Sequence, residues 1–213
     1  MKDQKKLWNS LHLKGDLLKY SLNPTDFARE VAKLINHHTK LLELGCGVGN
    51  DSYFFASQRH TVLATDFSEI VIKQNIEKYH SVDLLTFEVI DMSKTLYTLN
   101  DRSFDLVYAR LSLHYFTDKM TRSIINEVYR ILKPNGLFCF LCKSIKDPLY
   151  GQGNKVEKDV YEFNNHIRHF FSETYLKDLL NKNFKIIKIE SGKENFYDKK
   201  SKFIKVIVRK KIK

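Results

Sequence analysis

Glu43, Gly45, Gly47 and Gly49 alternate with other residues in LLELGCGVGNDSYFF, the stretch from Leu41 to Phe55. Glycine adopts positive φ without strain and carries no Cβ, so this spacing marks a loop whose main chain is approached closely. An apolar run enters the loop and a helical pattern leaves it near Asn50, aiming free N–H groups and the positive end of a helix dipole at the same space. A dinucleotide loop has this layout but reads G-x-G-x-x-G. Here the third glycine comes one position early, and Asn50 holds the place of the expected one. A triphosphate loop reads G-x-x-x-x-G-K-[ST], and no such run occurs. Asp66 and Asp91 end the two following apolar runs, HTVLATD and LLTFEVID, where carboxylates can accept hydrogen bonds from a ligand. His114 lies in RLSLHYF, beyond a further run, FDLVYA, and imidazole is the side chain that exchanges protons near neutral pH.

The elements that position these residues follow from periodicity and punctuation. NPTDFAREVAKLI predicts a helix capped by Asn23, with Pro24 in its first turn and Phe27, Val31, Leu34 and Ile35 on one face. KLLEL, residues 40 to 44, predicts a buried strand, DSYFFASQ a helix, HTVLATD a second strand, and SEIVIKQNIEKYH a helix capped by Ser68. LLTFEVID and FDLVYA predict the third and fourth strands. A helix from about Asp118 to Leu132 follows and stops at KPNG, where Pro134 and the Asn135-Gly136 turn forbid continuation; LFCFLCK is the fifth strand. Strands alternating with helices imply parallel pairing, hence an open α/β sheet with helices on both faces. Ser144 to about Phe170 reads as loop, Ser172 caps a helix to Leu180, and FKIIKIE and FIKVIV follow with only SGKENFYDKKSK between them. Two such strands pair antiparallel. The expected fold is a doubly wound Rossmann-like sheet of about seven strands, five parallel plus a C-terminal hairpin, in a single domain over 1–213.

With ELGCGVG, ATDFS, VIDMS, FDLVYARLSLHYF and LKPNGLFCF in register, roughly residues 25–145 resemble the class I methyltransferases that use S-adenosylmethionine. Their first motif is an acidic residue two positions before G-x-G-x-G. The resemblance implies a cofactor site of Glu43, Gly45, Cys46, Gly47, Gly49, Asp66, Phe67, Asp91, Met92, Arg110 and Leu111. Within it Glu43 holds the methionine amino group and Asp66 both ribose hydroxyls. Asp91 takes the adenine amine, with the Met92 N–H on the ring. Arg110 offers its carbonyl, its side chain being either a surface charge or a clamp on the methionine carboxylate; Phe67 and Leu111 flank the adenine or belong to the core.

His114 is the candidate base or substrate contact, with Tyr115 and Phe116 as candidate walls of an acceptor pocket. Exocyclic amine methylation of nucleic-acid bases uses [DN]-P-P-[YFW] after the fourth strand, where this chain has ARLS. Methylation of pyrimidine carbon needs a cysteine nucleophile, but Cys139 and Cys142 fall inside the fifth strand and Cys46 in the glycine loop. Transfer to an oxygen, nitrogen or sulfur of a small molecule is the reading that remains. A tRNA or rRNA methyltransferase, with basic ends on phosphates, is the alternative, and a non-catalytic cofactor-binding adaptor the third. Acceptor contacts are expected from the additions to the sheet: residues 1–22, with Trp8 and Tyr20, and the insert 145–170, with Tyr150, Tyr161, Phe163, His166, Arg168 and His169. His166 and His169 would share a face only in a helix, and no ligand spacing accompanies them, so no metal is expected.

The net charge of +11 on 213 residues falls wholly in residues 1–20 and 146–213; between them acid and base cancel. The surplus is mostly lysine, and Arg168 and Arg209 are the only arginines after Lys146, whereas bidentate phosphate grips favour arginine. Three cysteines match no disulfide framework, and no apolar run reaches the roughly 20 residues that cross a bilayer. A soluble cytoplasmic protein is the expectation.

Overall fold

The computed structural model describes residues 2–13, 23–196 and 199–212. Its larger sheet has seven strands: β1 (Lys40–Leu44), β2 (Thr61–Asp66), β3 (Leu85–Val89), β4 (Phe104–Arg110), β5 (Leu132–Lys143), β9 (Phe184–Phe196) and β10 (Lys199–Lys210). They lie in the order β3-β2-β1-β4-β5-β10-β9, the first five parallel and β10 antiparallel to both neighbours. Strand order reverses between β1 and β4, so the glycine loop after β1 opens at the switch point where such sheets bind ligands.

Alternation along the strands divides the core in two. Leu42, Leu44, Val107, Ala109, Phe138 and Phe140 face one way, onto Ile124, Val128 and Ile131 of α5 (Asp118–Ile131) and Leu176 and Leu180 of α6 (Glu173–Leu180). Leu41, Val62, Ala64, Leu106, Tyr108 and Cys139 face the other, onto Phe27 and Val31 of α2 (Asp26–Ala32), Phe55 of α3 (Asn50–Ser57) and Ile72 of α4 (Glu69–Lys78). Each buried Val, Leu, Ile or Phe among them contributes about 1.5–3 kcal/mol, so the paired faces fix register as well as stability.

Four expectations need correction. Thr25, not Asn23, caps α2: its Oγ1 accepts from the Ala28 N–H three residues on, the spacing a cap requires. β3 ends at Val89, and Asp91 lies in the turn beyond, where it caps its own loop. The β9–β10 hairpin runs on through residues read as connecting loop, with Gly192 paired to Phe203 and Glu194 to Ser201.

The stretch from Ser144 to Phe170 is not loop. It holds a second, three-stranded antiparallel sheet of β6 (Asn154–Glu157), β7 (Val160–Phe163) and β8 (His166–His169). Its turns use left-handed residues at Asp159, Asn164 and Asn165, and strands this short show too little periodicity to be read. The insert leaves and rejoins the molecule at one point, because Ile145 N donates to Phe171 O and Phe171 N to Lys143 O. Inside that point Asp147 is buried, accepting from Lys143 Nζ at 3.0 Å, Ser201 Oγ at 2.9 Å and the Lys202 N–H at 2.9 Å.

At the N-terminus, α1 (Lys2–Leu13) packs on the start of α4. Ser68 Oγ donates to Asn9 Oδ1 at 2.6 Å and Lys5 pairs with Glu69. Tyr20 lies outside the described residues.

Candidate functional site

All three loop glycines have positive φ, yet they face different neighbours. A Cβ at Gly45 would stand 2.5 Å from Ser112 Cβ, and one at Gly49 3.0–3.1 Å from the rings of Tyr79 and Phe87. A Cβ at Gly47 would meet nothing within 4 Å. Two of the glycines therefore admit the protein's own side chains, and only Gly47 borders the open space a ligand would take. Gly47 is also held from both sides, its N–H donating to Asp66 Oδ2 at 3.1 Å and its carbonyl accepting from Asn75 Nδ2 at 2.7 Å.

Asp66 is buried at the end of β2 and takes a second bond from the Ser68 N–H at 2.9 Å. Burial pushes its carboxyl up, while the N–H groups of Ser68, Gly47 and Phe67 oppose the shift. The carboxylate keeps acceptor capacity beyond these N–H groups, as a ribose hydroxyl contact requires. Phe67, beside it, is half-buried. Glu43 is buried beneath the loop, accepting from Ser52 Oγ at 2.5 Å; burial and then the Asp51 carboxylate push it well up, so a cation placed near it would be welcome. Cys46 is buried, and burial raises its thiol well above the ordinary range, which makes it packing rather than a nucleophile. The Met92 methyl would lie 3.6 Å from a Cβ at Gly45. Asp91 accepts from Ser93 N and Oγ at 3.0 and 2.6 Å and pairs with Lys94 at 2.9 Å. Burial works to raise it, but those bonds outweigh burial and hold it low.

The guanidinium of Arg110 is mostly buried rather than a surface charge, and its Nη2 binds Glu194 near the hairpin tip at 2.7 Å. Leu111, buried just past β4, has φ +51, an observed strain of the kind stored beside functional sites. His114 follows, 1 % exposed, with neither ring nitrogen hydrogen-bonded among the described residues. Burial, then Lys143, Arg168, His166 and His169, hold its pKa well below the usual value. Its ring lies 4.1 Å from that of Tyr115, which meets Trp8 of α1 at 5.4 Å and His166 of β8 at 5.8 Å; Trp8 and His166 are 5.7 Å apart. Three distant segments thus meet over the loop after β4, tied to the glycine loop by the contact of Ser112 with Gly45.

His169 and Tyr150 are not part of that meeting. In a strand, residues three apart face opposite ways, and the buried His169 stacks on Phe171 and Tyr175 against α6. Tyr150 packs on Tyr161 and Phe170, its hydroxyl donating to Asp159. Among the described residues no cluster of three His, Cys, Asp or Glu is placed to hold a metal ion, and no helix is long and apolar enough to cross a membrane.

Sequence reasoning missed several supports. Asn75 stands on the apolar stripe of α4 with Val71 and Ile72, and a polar residue on such a stripe was the available signal. Asp51, buried at the start of α3, accepts from Thr25 N and Oγ1 and from Tyr108 OH at 2.7–2.8 Å. Ser112, whose Oγ donates to Leu44 O at 2.6 Å, gave no signal, since only the pairing of β1 with β4 brings it there.

The comparisons with known proteins agree with this geometry. A family model described as a methyltransferase domain matches residues 42–140. Phosphoethanolamine N-methyltransferase 1 of Triticum aestivum is 32% identical over 97 residues, 45% of this chain and 20% of that protein. The chain spans from a fifth to about half of the length of the curated relatives it matches. Among solved structures, a SAM-dependent methyltransferase from Methanosarcina mazei superposes with TM-score 0.76 at 22% identity, covering 86% of this chain and 98% of that one. The Burkholderia thailandensis 1,6-didemethyltoxoflavin-N1-methyltransferase, solved with its substrate and S-adenosylhomocysteine, gives 0.78 at 17% identity over 99% and 88%. The methyltransferase-domain match covers residues 42–140, and the chain takes the fold of S-adenosylmethionine-dependent methyltransferases of known structure.

The buried imidazoles make stability depend on pH in a defined direction. Burial lowers His12 and His166 to about 4, and it lowers His60, His114 and His169 as well. Below about pH 6.5 the unfolded chain binds protons on these rings that the folded chain refuses, so stability present above pH 6.5 is lost as pH falls toward 4. The urea midpoint should be flat from pH 7 to 8 and drop steadily between 6.5 and 4.5. A flat midpoint across the lower window would mean that the rings reach solvent.

Proposed function

We propose that the protein transfers a methyl group to an oxygen, nitrogen or sulfur atom of a small-molecule acceptor held under α1 and the three-stranded sheet. The observation that carries this reading is the convergence of Trp8, Tyr115 and His166 over the buried His114, whose ring nitrogens have no hydrogen-bond partner among the described residues, next to the glycine loop. The named acceptors of the wheat and Burkholderia relatives, phosphoethanolamine and 1,6-didemethyltoxoflavin, are small molecules of the kind such an enclosure takes.

S-adenosylmethionine, bound at this site, would supply an electrophilic methyl group on a sulfonium. Asp66, Gly47 and the N-terminus of α3 would hold its nucleoside end, and Glu43, through water or main chain, its amino group. What this chain adds is position and dryness, and alignment of two reactants is worth about 7–11 kcal/mol. His114 stays neutral at physiological pH, so it accepts a hydrogen bond from an acceptor N–H or O–H readily but retains a transferred proton poorly. Its role is to orient the nucleophilic atom, while the aromatic walls exclude water.

Hydrogen exchange tests the enclosure. Adding S-adenosylhomocysteine with members of an acceptor panel should protect residues 2–13 and 154–169 together, leaving β1, β4 and β5 unchanged. Protection confined to residues 111–116 would place the acceptor elsewhere. Salt separates the RNA reading, because phosphate neutralisation makes RNA affinity fall steeply with ionic strength. Steep, tight tRNA binding would replace the small molecule with RNA, and absence of turnover across a wide panel would favour the adaptor.

A further inference from the structure

We propose that the acceptor carries an oxyanion and that Arg168, on the face of the small sheet turned toward Trp8 and Tyr115, is the residue that grips it. This rests on the enclosure being the acceptor site. Antiparallel pairing places Arg168 opposite Tyr161 and His166 opposite Phe163, so Arg168 and His166, two apart, share a face, and that face meets the aromatic wall.

Arg168 is a half-buried cation with no ion pair among the described residues. Its one hydrogen bond among the described residues runs from Nη1 to the Phe163 carbonyl at 3.0 Å, leaving most of a five-donor fork unspent. At the ends of β4 and β5, by contrast, Arg110 is paired with Glu194 and Lys143 with Asp147. Asp147 is the carboxylate nearest in effect to Arg168, but it is committed to Lys143, Ser201 and the N–H groups of Lys202 and Leu149. Burial lowers the pKa of Arg168, the mark of a charge set where solvent does not repay it. His114 and His166 both sense that charge, and each has a ring nitrogen with no partner among the described residues. A site with one unspent guanidinium fork, waiting imidazoles and aromatic sides suits a carboxylate or a phosphomonoester on a compact organic body.

Phenyl phosphate, benzoate and neutral benzamide are the probes, titrated by calorimetry into protein saturated with S-adenosylhomocysteine. The expected result is binding of at least one anion with benzamide inert. R168Q should weaken that anion about 10- to 100-fold, as loss of a charge-assisted bidentate pair does, with R168K falling between. The affinity of R168Q for S-adenosylhomocysteine should stay within about twofold of wild type, which also shows that the variant folds. Preference for phenyl phosphate assigns a phosphomonoester acceptor, and preference for benzoate a carboxylic acid. Equal binding of benzamide, or anion binding unmoved in R168Q, overturns the proposal. Collapse of S-adenosylhomocysteine affinity in R168Q would overturn it too, since Arg168 would then serve the cofactor. Failure of the wild type to bind S-adenosylhomocysteine would instead remove the methyltransferase reading beneath it.

Discussion

Asp66→Ala should reduce affinity for S-adenosylhomocysteine by about 10²- to 10⁴-fold while the sheet stays folded. Two hydrogen bonds from ribose hydroxyls to a carboxylate are each worth ~1.5–3 kcal/mol, and the sum of ~3–6 kcal/mol converts to that range. The substitution also frees the N–H groups of Gly47 and Ser68, so the loop loses its anchor at the position bordering the open space. Folding stability should change much less, because the buried carboxylate is itself an unfavourable charge in the apo protein. Calorimetry with S-adenosylhomocysteine, paired with circular dichroism, reads both quantities. Unchanged affinity would mean that the ribose does not lie against β2.

The glycines provide the second large effect, as a contrast. Gly45→Ala forces a Cβ to 2.5 Å from Ser112 Cβ at φ +77, and Ser112 is pinned by its bond to Leu44 O. The left-handed conformation costs about 1–2 kcal/mol for a non-glycine residue and overpacking about 1–3 more. Gly47→Ala bears only the first cost, since its Cβ meets no protein atom within 4 Å. Urea unfolding should therefore show Gly45→Ala destabilised by roughly 2–5 kcal/mol and Gly47→Ala by about 1–2. Binding of S-adenosylhomocysteine should nonetheless be lost in Gly47→Ala, whose new methyl fills the cradle. A Gly47→Ala protein that binds normally would show that no ligand approaches this main chain.

The parts of the protein that were legible are those where local chemistry and tertiary packing agree. The glycine loop, the strand ending at Asp66, the Ser68 and Ser172 caps and the amphipathic α5 are written in local pattern, and each sits where that pattern places it. What escaped depends on partners remote in sequence. The caps at Thr25 and Asn23 are equally plausible from residue type, and the geometry of Thr25 with Asp51 and Tyr108 decides between them. The Arg110 side chain was undecidable without knowing that the hairpin tip returns Glu194 to β4. The small sheet was hidden because four-residue strands carry almost no periodicity, and His166 and His169 could be assigned to opposite faces only once the backbone there was extended.

Residues 145–170 depart and return at one point, where the Ile145 N–H donates to Phe171 O and the Phe171 N–H to Lys143 O, so the segment is built into the chain as a cassette. Exchanging it for one of another length leaves the same gap to close, and closure entropy rises only about 0.6 kcal/mol for each doubling of loop length. The segment carries its own fastening in Asp147, so Lys143 and Ser201 form a socket into which a different insert with a carboxylate near its start could plug. β1, β2 and the glycine loop, on the far side of β4 from β5, would pass through such exchanges untouched. With the acceptor under this insert, as proposed above, trading one cassette would change what is methylated without altering how the methyl donor is held.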